Sequence, residues 1–99
     1  MEAQLKKALY EVIKYNLEAR KDLSNKDACK KCSSAIDEII KLSEPRIAKI
    51  YSEMKRRGTV TGCPECVDAL SFSGAYLKLL DSPAYSQLLE LGKKYLNPQ

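Results

Sequence analysis

Gly62-Cys63-Pro64-Glu65-Cys66-Val67-Asp68-Ala69-Leu70-Ser71-Phe72-Ser73-Gly74-Ala75-Tyr76-Leu77-Lys78-Leu79-Leu80 is the stretch on which the reading of this chain turns. It opens with a Cys-x-x-Cys pair, puts proline where a first helical turn tolerates its missing N–H, and then runs apolar on nearly every side. A helix apolar all round belongs in the middle of a domain. Its two thiols have a counterpart upstream, Cys29 and Cys32 in Cys29-Lys30-Lys31-Cys32, with thirty residues between the pairs.

Downstream, Asp81-Ser82-Pro83 is a cap-and-proline start signal, and Tyr85, Leu88, Leu89, Gly92, Tyr95 and Leu96 line one side of a last helix before Asn97-Pro98-Gln99. Upstream, Thr59-Val60-Thr61-Gly62 is β-prone with no strand to pair with, and reads as an extended connector. Before it, Ser43-Glu44-Pro45 opens a helix that carries Ile47, Ile50, Tyr51 and Met54 at intervals of three and four, with a basic end and a glycine stop in Lys55-Arg56-Arg57-Gly58. A helix from about Ala28 to Leu42, capped by Asp27 or Asn25, would turn Ala28, Cys32, Ala35, Ile36, Ile39 and Ile40 inward. A first helix, Ala3 to about Lys21, carries Leu5, Leu9, Val12, Ile13 and Leu17 as one stripe.

The pattern is all-α: one small domain over residues 1–99, with four to five short helices in an irregular or orthogonal bundle around a buried helix 64–80. No heptad persists, which excludes a coiled coil. At 44% hydrophobic and 30% charged, the chain has the composition of a folded globule rather than a disordered one. The start, Met1-Glu2-Ala3-Gln4-Leu5-Lys6-Lys7, lacks a secretory layout, and no apolar run reaches the ~20 residues that span a bilayer, so the expectation is a cytoplasmic protein with no membrane partner. The absence of His and Trp beside abundant Lys and Glu is a bias associated with thermostable chains.

Four cysteines are the chemistry this sequence advertises. Each pair sits near a helix start, whose N–H groups and dipole favour negatively charged groups such as thiolates. Zinc takes four thiolates at tetrahedral corners, and two Cys-x-x-Cys units, Cys29 with Cys32 and Cys63 with Cys66, supply that set. Neither pair is followed by the glycine that usually finishes a zinc knuckle. The alternatives are structural disulfides, in which case no cofactor is needed, or a thiol-redox or iron–sulfur electron-transfer role. No βαβ pattern surrounds the motif as thiol–disulfide exchange folds require.

The net charge of +4 is a mild hint of an acidic partner. Arg46, Lys49, Lys55, Arg56 and Arg57 gather on the third helix and could meet nucleic-acid phosphates, although Glu44 and Glu53 interrupt them and the bland reading is a solvated helix end. Tyr51, Tyr76, Tyr85 and Tyr95 fall on inner faces, which leaves Tyr10 and Tyr15 without an assigned place. Ser71, Ser73, Gly74 and Ala75 form a small-residue patch suited to internal helix contact or to a homodimer face. With no histidine, no Gly-rich phosphate loop and no acid–base pair, the expectation is a non-enzymatic interaction module, stapled by its cysteines, with a protein or nucleic-acid partner.

Overall fold

Among the described residues five helices form: α1 (Glu2–Lys21), α2 (Lys26–Leu42), α3 (Pro45–Thr61), α4 (Glu65–Leu79) and α5 (Tyr85–Leu96), while the start signals Cys63-Pro64 and Asp81-Ser82-Pro83 lie outside the described residues. This computed structural model describes residues 2–22, 24–61, 65–80 and 85–96, with side chains at all of these except 2, 58–61, 65–68, 85 and 94. Among the described residues there is no strand.

The cap of α2 is Asn25, one of the two candidates, and its side chain accepts the Ala28 N–H at 3.0 Å. Asp27 instead stands in the first turn, where a carboxylate meets the positive helix end. At the other end the Ser43 N–H closes onto Ile39 O, and Pro45 is the first residue of α3. The glycine stop expected at Gly58 does not occur: α3 continues to Thr61, so Thr59-Val60-Thr61 is helical rather than an extended connector, and Gly62 lies outside the described residues. Glycine inside a helix costs only about 1 kcal/mol relative to alanine. Here the last turns are backed by α5, where the Arg57 guanidinium donates to Tyr95 O.

The inner face of α2 is as the spacing predicts, with Ala28, Cys32, Ala35, Ile36 and Ile39 buried and Ile40 partly so. All four apolar positions expected of α3, Ile47, Ile50, Tyr51 and Met54, are buried as well. The α1 stripe is partly wrong. Leu5, Leu9 and Val12 are buried, but Ile13 is only partly so and Leu17 stands 47% exposed, while Ala8, Asn16 and Ala19 take the inward places.

Named contacts fix how the helices run. Gln4 and Lys7 share a groove with Lys41 and Leu42, Val12 faces Cys32, and Lys31 lies over the Tyr15 ring, so α1 and α2 are antiparallel. Lys55 of α3 pairs with Asp37 of α2, and these two also run back along each other. α4 touches all four other helices, the central place expected of it, and its inward face is Ala69, Phe72, Ser73 and Tyr76. The molecule measures 39 × 34 × 20 Å, and its thin dimension equals two helix layers at ~10 Å spacing. Even a central helix therefore keeps an outer side, on which Ser71 and Lys78 meet solvent. Phe72 anchors an aromatic cluster across α3, α4 and α5, with ring centroids 5.4 Å from Tyr51, 6.4 Å from Tyr76 and 5.8 Å from Tyr95.

Candidate functional site

Cys29 and Cys32 lie on the first two turns of α2, three residues apart and so on one side of the helix. Cys29 is the fourth helical residue. Its N–H already bonds Asn25 O at 3.4 Å and its side chain is partly exposed. Cys32 is fully buried, and its Sγ lies 3.9 Å from Val12 O on α1. The two thiols are not joined to each other. Cys63 lies outside the described residues; Cys66 belongs to the first turn of α4, with its side chain outside them. Among the described side chains, no three metal-ligating groups come together.

The contacts of α2 and α4 bear on Cys32 and Cys66. Ser43 Oγ and Tyr76 Oη are 3.0 Å apart, which joins the C-terminal ends of α2 and α4. α4 also packs extensively along α1, whose first residues lie beside that same end of α2. From the joined ends, Cys66 stands ten residues back on α4 and Cys32 eleven back on α2. At about 1.5 Å rise per residue each lies roughly 15 Å from the junction. Both helices run from this junction back toward their starts.

Asn16 lies in the C-terminal half of α1. It is 0% exposed, and neither its Nδ2 nor its Oδ1 has a hydrogen-bond partner. A buried amide left so costs about 1 to 3 kcal/mol, and such groups are rare in folded proteins. Asn16 lies in line with Leu5 and Leu9, whereas the α2 side of α1 is marked by Ala8, Glu11 and Tyr15. α1 packs against both α2 and α4, and Asn16 lies within that covered surface. The sequence held the signal: Asn16 is seven residues after Leu9 and eleven after Leu5, squarely inside the buried stripe.

The basic residues of α3 do not act as one open patch. Arg46 bonds Glu44 at 3.2 Å, Arg56 bonds Glu53 at 3.0 Å, Arg57 lies 4.0 Å from Glu53 and reaches Tyr95 O, and Lys55 holds Asp37 across to α2. Lys49 is exposed on the same helix. The Arg56 hydrogen bond holds the Glu53 carboxyl below its ordinary range, so the acid there stays ionised among the cations.

α1 carries a different surface. Tyr10 is 63% and Leu17 47% exposed, Ile13 lies between them, and a shallow apolar hollow around Tyr10 and Ile13 is edged by Lys6, Lys7 and Lys14. Tyr15, by contrast, sits with the Lys14 and Lys31 ammonium groups 5.3 and 5.2 Å from its ring, a cation–π arrangement bridging α1 and α2.

Comparison with protein-family models, with curated proteins and with solved structures gave no match. Among the described residues, no helix is long and apolar enough to cross a membrane.

Proposed function

We propose that this protein is a small non-enzymatic interaction module that docks an acidic, amphipathic helix of a protein partner on the outer face of α1. The observation that carries the reading is the line Tyr10, Ile13 and Leu17, exposed at both ends and half-buried at Ile13, at intervals of three and four, edged by Lys6, Lys7 and Lys14. Aromatic and aliphatic side chains at that spacing fit the apolar stripe of a partner helix, and the lysines favour carboxylates beside it. A second copy of this chain would bring the same lysines against each other. The α3 cations, compensated by Glu44, Glu53 and Asp37, offer less to a nucleic acid than their number suggests.

A photo-crosslinking amino acid at Tyr10, with the same group at exposed Ser52 as control, tests this in source cells. Crosslinks from position 10 that map to an acidic helical segment of another protein support the proposal. Crosslinks to a second copy or to nucleic acid, or none above the Ser52 control, overturn it.

Under the same proposal the four cysteines form a structural zinc site that fastens the starts of α2 and α4. What supports this is the repeated Cys-x-x-Cys spacing and the meeting of the C-terminal ends of α2 and α4, from which both helices run back toward their cysteines, with the Cys32 thiol buried. Native mass spectrometry of the whole chain, paired with thiol alkylation, is the test. One zinc per chain, lost to chelator as four thiols become reactive, is the expected result; four thiols alkylating with no metal present would sink it. The unequal exposure of Cys29 and Cys32 favours one rival, a redox pair with an accessible first sulfur and a buried second one, which would show as a two-electron couple without bound metal.

A further inference from the structure

We infer that the partner helix lies lengthwise along α1 and sets a row of carboxylates, one every seventh residue, against Lys7, Lys14 and Lys21; the inference rests on the docking reading above. The observation behind it is a second repeat on the same helix. Lys7, Lys14 and Lys21 are all exposed and follow one another at seven-residue intervals, and Tyr10 and Leu17, the exposed ends of the apolar line, are also seven apart. Seven residues make nearly two turns, so each set keeps to its own side of α1 with only about 20° of drift per repeat.

The two rows adjoin. Lys14 stands four residues after Tyr10, and Lys21 four after Leu17, which makes each pair neighbours on the helix surface. The Lys14 ammonium lies 5.3 Å from the Tyr15 ring, and that ring also meets Lys31 of α2, so the lysine row borders the apolar line on its α2 side. Its charge is open. Among the described residues none of the three lysines is ion-paired, although Glu11 and Glu18 stand on the same helix, whereas Arg46, Lys55 and Arg56 of α3 each hold a carboxylate.

The length of the row sets the angle. From Lys7 to Lys21 the helix axis advances roughly 21 Å. A partner crossing over Ile13 at the steep angle of about 50° would stand roughly 14 Å to the side by the level of Lys21, too far for its carboxylates to meet that lysine. At about 20° the offset there is only roughly 4 Å, and both ends of the row are met. The same shallow crossing lays the partner's apolar stripe over Tyr10, Ile13 and Leu17 together. Each step of the row, about 10.5 Å, is then also the step between every seventh residue of the partner, where its carboxylates stand.

A photo-crosslinking amino acid at Leu17, read beside the one at Tyr10 in source cells, tests the arrangement. Crosslinks from both positions should map to one acidic helical segment, at sites about two turns apart. Sites one turn apart or less, sites in different segments, or crosslinks from position 10 alone would overturn the lengthwise arrangement and leave the docking reading standing. No crosslink from position 10 above the Ser52 control would remove that reading and the inference together. The far lysine gives an independent measure. With the crosslinker at Tyr10, Lys21→Glu should lower the yield about threefold or more and Lys21→Arg should keep it, since a partner that crossed α1 steeply would not reach Lys21. An unchanged yield in K21E would overturn the carboxylate row. Should K21E loosen the end of α1, seen as lost helicity by circular dichroism, the crosslink spacing decides by itself.

Discussion

The Tyr51 hydroxyl and Ser73 Oγ are 2.7 Å apart in a place where both residues are wholly buried, and this contact is where α3 and α4 meet through polar atoms. Burial pushes the Tyr51 hydroxyl well above the ordinary tyrosine range, so it stays protonated. The pair is mutually dependent. Tyr51→Phe or Ser73→Ala alone strands a buried hydroxyl and should each destabilise by about 1 to 3 kcal/mol, whereas the double variant should lose less than the sum. Urea unfolding of the four proteins measures the coupling, and simple additivity would show the contact to be energetically idle.

Gly92 marks a close approach of α5 to α3. A Cβ there would overlap Ile50 Cδ1 and lie 2.9 Å from its Cγ1, and Ile50 is itself 1% exposed with little room to turn. Gly92→Ala gains up to about 1 kcal/mol in helix propensity but forces repacking that costs about 1 to 3 kcal/mol, so net destabilisation is expected. Adding Ile50→Val should recover part of it. Thermal melts check both, and a raised Tm for G92A alone would contradict the geometry.

The α2 cap gives a graded series. Asn25→Ala removes the acceptor for the Ala28 N–H and should cost about 1 kcal/mol, while Asn25→Asp keeps it and adds a negative charge at the positive helix end. The expected order of stability in denaturant is Asp at least equal to Asn, with Ala below both. Equal midpoints for all three would mean that the start of α2 is held by other contacts.

Glu53 sets a pH signature. Its carboxyl is depressed first by the hydrogen bond from Arg56 and further by the charges of Arg56 and Arg57, so more protons bind the unfolded than the folded chain in the acid range. Its contribution is complete above the ordinary carboxylate pKa and is lost as pH falls through the lower folded value. Glu53→Gln should therefore flatten the stability profile between about pH 5 and pH 3 while changing little at neutrality. Because the pair is solvent-exposed, the effect should be small and should shrink further in high salt.

Much of the architecture was legible from side-chain spacing. Ala28, Cys32, Ile36 and Ile39 on α2, and Ile47, Tyr51 and Met54 on α3, are inward because a helix offers one face to a neighbour, and that face is written locally at intervals of three and four. The caps were legible for the same reason, since Asn25 and Pro45 act within a turn of themselves. Where the reading slipped, distant contacts were responsible. Leu17 looks as apolar as Leu9, yet α2 and α4 straddle a slightly different arc of α1 and bury Asn16 in its stead. Gly58 carries a stop signal, yet α3 runs on to Thr61, with Arg57 beside it bonded to Tyr95 O of α5.

By itself the sequence determined that the fold is all-α, that α2 and α3 start at Asn25 and Pro45, and which residue types could ligate a metal, because propensity, capping and periodicity act over a few neighbouring residues. Only the tertiary structure decided that the C-terminal ends of α2 and α4 meet, that an amide is enclosed on α1, and that Tyr10 and Leu17 are left outside. Those outcomes depend on the directions and rotations of whole helices, which are set by contacts between residues far apart in the chain.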